Sequence, residues 1–319
     1  MQGSSQGSHF QRLRVHRGML RDGIRVEAYR KALFEQVKPG DLVLDFGAGT
    51  GVMSIFAAKA GAGKVYAIER TSIIEIAREL VHKNGVEDRV ELIQKDMDDV
   101  ELTEKVDVIV SDWMGGYGVD ENALAPLIAA RDRWLKPGGI MIPESVTAWM
   151  APVWDARRDH EMNFWRQHPY DLDLSLISDR TADEFFWDEH SITGDTLMAE
   201  PQQMWHTDVY KCSLEEANST FKTSLSFSVN RPGKVVSLAA WFTSEFGAGL
   251  TLSNAPDAPK NSWGRWVFPL ERTVEVEPGT QIAVEFTLEP AGPGWCDNTW
   301  SVRIGDGSWE HHDTRKAIW

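Results

Sequence analysis

The sequence has little cysteine and no long apolar run, and each shortage narrows the class of protein. Two cysteines in 319 residues are too few for a disulfide framework and are typical of a reducing compartment. The longest apolar run, 235–242, includes a serine and is far shorter than the roughly 20 residues that a membrane-spanning helix needs. Residues 1–14 are polar and lack the apolar segment of a secretory signal. We therefore expect a cytoplasmic protein without a membrane partner.

Basic residues are outnumbered, since 33 Lys and Arg stand against 48 Asp and Glu and give a formal net charge of −15. A chain this acidic repels a phosphate backbone, and no block of Lys or Arg interrupts the pattern. Nucleic acid is therefore not an expected partner, whereas a cationic substrate suits the charge. Tryptophan is abundant instead: there are 14, most of them from Trp149 onward.

The length predicts about two domains, and the hydrophobic pattern divides the chain near residue 143. Between about 40 and 143, short apolar runs alternate with segments of helical periodicity, which predicts a doubly wound parallel sheet of the α/β class. The runs cover 42–44, 65–68, 90–93, 106–110 and 140–142. A helix over 123–135 is expected to be closed by the Lys-Pro-Gly-Gly segment 136–139.

After residue 143, apolar and polar residues alternate with a period of two, which predicts antiparallel strands. The alternation is clearest over 221–229, 282–288 and 300–304, and turns rich in Pro and Gly separate such segments. Helix-like spacing interrupts the pattern and predicts an arm, about 154–190, that projects from the β domain. We therefore expect the second domain, 144–319, to be an antiparallel sandwich or barrel.

A glycine-rich loop follows the first predicted strand, with Asp45 at the strand's end and Gly47, Gly49 and Gly51 after it. Glycines at this spacing let the backbone approach a ligand closely, and the next helix offers free N–H groups. Glu69 ends the following predicted strand, where a carboxylate binds the hydroxyls of a ribose. The loop therefore predicts a nucleoside ligand.

The loop also discriminates between nucleoside cofactors. A dinucleotide fingerprint has the spacing Gly-x-Gly-x-x-Gly, whereas here it is Gly-x-Gly-x-Gly with Asp45 in front. A carboxylate repels a pyrophosphate but attracts the positively charged methionine end of S-adenosylmethionine. The residues therefore favour S-adenosylmethionine, with S-adenosylhomocysteine as product, over a nicotinamide dinucleotide.

The segments 45–51, 54–62 and 65–69 resemble the class I S-adenosylmethionine methyltransferases, and more narrowly the protein arginine methyltransferases. The similarity begins at Met19-Leu20-Arg21-Asp22 and continues through Ser111-Asp112-Trp113-Met114-Gly115 and 130–139. It implies a helical segment at 1–39 that covers the cofactor and a Rossmann-like methyltransferase domain at 40–143. It also implies a β-barrel with a helical dimerisation arm, and hence a homodimer.

The resemblance implies roles for individual residues as well. Arg25 would pair with the cofactor carboxylate, a task suited to a guanidinium fork, and Met19 would pack near the reacting sulfonium. Glu69 would hold the ribose, and Asp98 or Asp96 the adenine amino group. The implied cofactor site also includes Asp45, Gly47, Gly49, Gly51, Arg70 and Met97. No metal is expected.

Two acids are candidates for the chemistry. Asp112 ends a predicted strand at the carboxyl edge of the sheet, and Glu121 lies nine residues later across a Gly-rich loop. In the family, two glutamates at that spacing hold a substrate guanidinium, which does not lose its proton unaided because its pKa exceeds about 12. The resemblance therefore implies an arginine-type acceptor clamped by Asp112 and Glu121.

The sequence departs from the family pattern at two positions that bear on the acceptor. Asp112 is one methylene shorter than glutamate, which draws its carboxylate back by about 1.5 Å. Asn261-Ser262-Trp263 stands where the family has Thr-His-Trp, so the histidine that helps to hold the first acid is missing.

Three functions are therefore open. The first is N-methylation of a guanidino or arginine-type acceptor, on a peptide or on a free metabolite. The second is O-, N- or C-methylation of a small molecule, with Asp112, Glu121 or His16 as base and Trp205, Trp263 or Trp266 lining its pocket. The third is a non-catalytic dimer partner of another methyltransferase, against which the intact cofactor residues argue.

Overall fold

The computed structural model describes residues 11–188 and 191–317, and a parallel sheet forms the centre of its first half. The strands are β1 (Leu42–Phe46), β2 (Lys64–Ile68), β3 (Val90–Ile93), β4 (Val106–Val110) and β5 (Leu135–Ile142). They lie in the order β3-β2-β1-β4-β5, and each neighbouring pair is parallel. The predicted α/β sheet is confirmed, and the carboxyl ends of its strands meet at one edge, where ligands bind in such folds.

Helices pack around this sheet. They are α1 (Leu13–Arg21), α2 (Gly23–Gln36), α3 (Val52–Ala60), α4 (Ile74–Lys83) and α5 (Leu124–Trp134), with a 3-10 turn at Met97–Asp99. The turn from β1 into α3 uses Gly51 as N-cap with a φ of 74°, a conformation that glycine adopts without strain. Of the N-terminal segment expected over 1–39, residues 1–10 lie outside the described residues.

The segment 136–139 differs from its predicted role as a separate turn. α5 ends at Trp134 as expected, but the chain passes into β5 at Leu135 without a loop. The pairing of β5 with β4 is irregular between Leu135 and Ile140. Pro137 has no N–H to donate, so the Lys-Pro-Gly-Gly segment is accommodated as an interruption within the strand.

Antiparallel strands form the second half, as predicted. They are β6 (Ser145–Val153), β7 (Phe186–Asp188), β8 (Gln202–Asp208), β9 (Phe221–Ser228), β10 (Gly233–Glu245), β11 (Thr251–Ser253), β12 (Arg265–Val276), β13 (Gln281–Gly292), β14 (Trp295–Ile304) and β15 (Glu310–Asp313). One sheet has the order β7-β12-β10-β6-β8, with β11 paired to β10, and the other the order β15-β14-β13-β9.

An aromatic core joins these two sheets. Phe268 of β12 lies 5.0 Å from Phe286 of β13 and 5.2 Å from Trp300 of β14, between ring centroids. Trp205 of β8 lies 5.9 Å from Tyr117, which comes from the first half of the chain. The sheets therefore face each other, and part of the abundant tryptophan fills their shared core.

A helical arm interrupts the β domain between β6 and β7. It contains α6 (Ala156–Phe164), a 3-10 turn at Pro169–Asp171 and α7 (Ser175–Thr181), and the short helix α8 (Leu214–Ala217) follows later. The arm carries exposed apolar side chains, including Tyr170 (81% exposed) and Leu176 (65%). No helix in the described ranges is long and apolar enough to span a membrane.

Candidate active site

The glycine loop after β1 is anchored to the end of β2 by Glu69. One carboxylate oxygen of Glu69 accepts the Gly49 N–H at 3.1 Å, and the other accepts the Thr71 N–H at 2.7 Å. The His16 ring of α1 packs against Gly49, where a Cβ would lie 2.9 Å from the ring. No described residue lies within 4 Å of the Cβ position at Gly47, so this face of the loop is open to a ligand.

Asp45, at the end of β1, is buried and accepts a hydrogen bond from the Ser54 hydroxyl at 2.6 Å. Burial is the main cause that raises the pKa of Asp45 to about 7; Ser54 opposes the shift, while Glu69 and Asp112 add to it. A positive group bound nearby would favour the ionised form, because opposite charge lowers the pKa of a carboxyl group. This part of the site is therefore suited to a cationic ligand.

The guanidinium of Arg25, in the first turn of α2, joins several predicted residues. It forms an ion pair with Asp112 and lies over the Trp263 ring, with 4.4 Å from its central carbon to the ring centroid. Its amino groups also lie 3.4 Å from the Ser262 hydroxyl and 3.3 Å from the Met19 sulfur. The structure thus brings Arg25, Met19 and Asp112 together.

Tyr29 provides the second contact of Asp112. The Tyr29 hydroxyl donates to Oδ1 of Asp112 at 3.1 Å, while Arg25 binds Oδ2. Tyr29 follows Arg25 by four residues on α2, so both side chains leave the same face of the helix. The Asp112 carboxylate is therefore held from α2, without the histidine that the family places at position 262.

Asp22 fixes the beginning of α2 against the second domain. Its carboxylate accepts the Arg25 N–H at 3.0 Å as a helix cap and the Ser262 N–H at 2.6 Å. The segment that corresponds to the family's Thr-His-Trp motif thus contacts the site through the helix that carries Arg25.

Glu121 is half-buried and belongs to the same electrostatic group. Burial raises the pKa of Glu121 to about 8, with further upward contributions from Asp120 and Asp112 and an opposing one from Arg25. A cation beside this carboxyl group would stabilise its ionised form. Asp112 already pairs with Arg25, so Glu121 is the acid of this group that an added cation would ionise.

The loop between these two acids is fixed by Asp120. Its carboxylate accepts the Gly116 and Tyr117 N–H groups, each at 3.0 Å. Burial raises the pKa of Asp120 to about 6, although these N–H groups lower it. Asp120 thus stabilises the conformation of the turn that precedes Glu121.

The β domain also holds this loop. Donors from the β domain and the loop form the following bonds: Trp263 Nε1 to the Met114 carbonyl at 2.8 Å, Asn254 Nδ2 to the Gly116 carbonyl at 2.7 Å, and Asn122 Nδ2 to the Gly292 carbonyl at 2.8 Å. The conformation of the loop between Asp112 and Glu121 therefore depends on contacts from both halves of the chain.

The remaining predicted cofactor residues lie beyond the ends of β2 and β3. Arg70 and Asp96 are exposed and 3.9 Å apart, and Asp98 is exposed on the adjoining 3-10 turn. The Met97 carbonyl accepts a bond from Arg133 at 3.1 Å, and its side chain is half-buried. The three charged side chains are available to a ligand next to Glu69 along the sheet edge.

Comparison with known proteins identifies the family. The profile of the arginine methyltransferase oligomerization subdomain matches residues 144–297, and that of a methyltransferase domain matches residues 43–139. Protein arginine N-methyltransferase 6 of Danio rerio is 34% identical over 287 residues, covering 87% of this chain and 82% of the relative. The chain belongs to the protein arginine N-methyltransferase family. It is an enzyme of the S-adenosylmethionine-dependent methyltransferase class.

Other arginine methyltransferases show the same relation. The probable protein arginine N-methyltransferase 6 of Arabidopsis thaliana is 37% identical over 238 residues, covering 73% of this chain and 54% of the relative. The structure of Arabidopsis thaliana protein arginine methyltransferase 10 has a TM-score of 0.82 and 26% identity, covering 96% and 99% of the two chains. A Trypanosoma brucei enzyme–prozyme complex of arginine methyltransferase 1 with AdoHcy has a TM-score of 0.86 and 26% identity, covering 95% and 98%.

Three residues of this arginine methyltransferase site had no predicted role, namely Asp22, Tyr29 and Asp120, and Trp266 was predicted only to line a small-molecule pocket. Signals existed for the first three. Asp22 precedes a helix start as an N-cap, Tyr29 follows Arg25 by one turn, and Asp120 adjoins Glu121. The contact of Trp266 with the loop depends on tertiary structure and has no local signal.

Proposed function

We propose that this chain transfers a methyl group from S-adenosylmethionine to the guanidinium of an arginine in a peptide or protein. The observation that carries the proposal is that the Asp112 carboxylate binds a guanidinium, that of Arg25, which lies over the Trp263 ring. A carboxylate beside an aromatic face is a suitable environment for a guanidinium, and Glu121 is the second acid of the proposed acceptor site.

The cofactor residues predicted from the sequence are compatible with this assignment. Gly47 offers an open backbone face, Glu69 presents a carboxylate at the end of β2, and Arg25 supplies a guanidinium for a carboxylate ligand. We assign the methionine end to Arg25 and Met19, with His16 covering Gly49. The adenosine end is assigned to Glu69 with Arg70, Asp96, Met97 and Asp98.

The residues of the chain then have distinct tasks in the reaction. S-adenosylmethionine supplies an activated methyl group for in-line transfer to a nucleophile. Asp112 and Glu121 bind the acceptor guanidinium, orient it and localise its positive charge away from the attacking nitrogen. Entry of the cation lowers the raised pKa of Glu121, so the carboxylate forms where it is needed. We assign to Glu121 the role of receiving the proton that the nitrogen releases.

The shorter acid is compatible with this role because α2 positions it. Tyr29 and Arg25 each bind one oxygen of Asp112. These two contacts from one helix give the shorter acid a defined position beside the proposed acceptor.

A peptide or protein acceptor is favoured over a free metabolite. The relatives are named protein arginine N-methyltransferases, and the net charge of −15 attracts basic peptides. We also propose a homodimer in which the arm contacts a second copy. The oligomerization subdomain profile covers the arm, and Tyr170, Leu172 and Leu176 expose apolar surface on it.

The acceptor is tested with S-adenosylmethionine and three probes: a glycine-flanked arginine peptide, the matched lysine peptide, and free L-arginine. We expect mass spectrometry to find a methyl group on the arginine of the first probe and none on the other two. S-adenosylhomocysteine binding without transfer to any arginine peptide would contradict the proposal. Methylation of a small-molecule panel by the same preparation would then establish the second function.

A further inference from the structure

We infer that Trp266 is a positioning residue of this enzyme: its indole lies against the Gly116 backbone and fixes the loop that carries Glu121. The inference rests on the proposed function only for the role of Glu121. The contact itself is independent of the acceptor.

Gly116 leaves no room for a side chain next to Trp266. A Cβ at Gly116 would lie 2.0 Å from the indole Nε1 and 2.1 Å from its Cδ1. The optimal separation of two carbon atoms that are not bonded to each other is roughly 3.5–4.0 Å. The indole therefore contacts the peptide backbone of the loop directly.

Hydrogen bonds hold the backbone of Gly116 on its other sides. Asp120 accepts the Gly116 N–H at 3.0 Å, and Asn254 donates to the Gly116 carbonyl at 2.7 Å. The loop has three glycines within four residues, which gives its backbone unusual freedom in the absence of such contacts. Because Glu121 directly follows Asp120, its carboxylate moves with this turn.

Trp266 is held by neighbouring strands of the β domain. It lies in β12, where it pairs with Trp187 of β7 and Ala240 of β10. The Phe185 ring lies 4.6 Å from its ring, between centroids, at the point where the arm rejoins the sheet. The indole that contacts the loop is therefore positioned by the β domain.

Hydrogen exchange of the full chain, with S-adenosylhomocysteine bound, tests the contact without an acceptor. We expect Trp266→Leu to accelerate exchange of the Gly116 and Tyr117 amides about tenfold, as the loss of one local restraint would. Trp149→Leu is the matched control, because Trp149 is a half-buried tryptophan of the same sheet that packs in a different apolar cluster. The control should leave loop exchange unchanged.

A double substitution separates positioning from simple packing. Gly116→Ala should reduce kcat for the arginine peptide on the order of 100-fold, the cost of moving a catalytic group by about 1 Å. In the Trp266→Leu background the same substitution should cost less than about twofold, because the indole that it meets is gone. A contact that only stabilised the fold would leave kcat of the folded variants unchanged, and a Trp266 side chain that did not contact Gly116 would give equal costs in both backgrounds.

Three outcomes decide the inference. Unaltered loop exchange in Trp266→Leu overturns it, and so do equal costs of Gly116→Ala in the two backgrounds. Accelerated exchange in Trp266→Leu, in an enzyme that methylates no arginine peptide even as wild type, supports the contact and removes the proposed acceptor instead.

Discussion

The carboxylate of Asp112 is bound to the guanidinium of Arg25, and this pair lies where a substrate guanidinium is proposed to bind. Arg25 is also the residue proposed to hold the carboxylate of the cofactor. Its single positive charge therefore acts on both ligands, and on the pKa of Glu121 as well. The position and charge of Asp112 therefore depend on α2, which carries both of its partners.

Tyr29→Phe is expected to lower kcat for an arginine peptide. The hydroxyl that donates to Asp112 is lost, and one hydrogen bond is worth about 0.5–1.5 kcal/mol, or roughly 2- to 12-fold in rate. Steady-state kinetics measures the change, and cofactor affinity should not move. Tyr66→Phe is the matched control, because its hydroxyl bonds Glu104 at 3.0 Å, away from Asp112. Equal effects of the two variants would refute the role of Tyr29.

Asp112→Glu is expected to preserve or raise methylation of the arginine peptide. The added methylene advances the carboxylate by about 1.5 Å, to the length that the family uses. Asp112→Asn, which removes the charge, should abolish turnover. A loss above about tenfold in Asp112→Glu, with intact cofactor binding, would favour a small-molecule acceptor for which the shorter acid is required.

The pH profile reports the ionisation of Glu121. Because its pKa is raised to about 8, most of the free enzyme holds this acid protonated below that pH. Binding of a cationic peptide requires the carboxylate, so kcat/KM should rise as pH passes through 8 and then level off. Glu121→Gln should abolish turnover while S-adenosylhomocysteine still binds by calorimetry. A profile without this rise would remove Glu121 from the clamp.

The exposed apolar side chains of the arm predict that the chain forms a homodimer. Replacing Tyr170, Leu172 and Leu176 by serine removes apolar surface that is exposed in a single chain. We expect the wild type to elute as a dimer in gel filtration with light scattering, and the variant as a monomer with unchanged circular dichroism. Serine replacements at Leu214 and Tyr210, exposed on the β domain, serve as control. A monomeric wild type would contradict the homodimer.

Periodicity predicted the fold well because its signals are local. The strands of the parallel sheet and the alternating strands of the second half follow from apolar spacing. The exception is 136–139, which looks like a turn but interrupts β5, since tertiary pairing on both sides continues the strand.

The residues of the site could be predicted only where they belong to a local sequence motif. The glycine loop, Glu69 and Arg25 follow from such motifs. The restraints from Ser262 and Trp266 do not, because these residues reach the site from the second half of the chain. Nor does composition reveal that Trp205 fills the core whereas Trp263 faces Arg25.

Glu69→Ala tests the cofactor assignment most directly. The carboxylate accepts the Gly49 and Thr71 N–H groups, and it is proposed to bind the ribose hydroxyls as well. Hydrogen bonds to a charged group contribute about 1.5–3 kcal/mol, so the Kd for S-adenosylhomocysteine should increase about 10- to 150-fold by calorimetry. Glu75→Ala, on the exposed face of α4, is the control and should bind normally. Because Glu69 also anchors the glycine loop, the melting temperature of each free variant is measured too. Unchanged affinity in a folded Glu69→Ala variant would show that the ribose is held elsewhere, whereas weakened binding with an unaltered melting temperature isolates the contact with the cofactor.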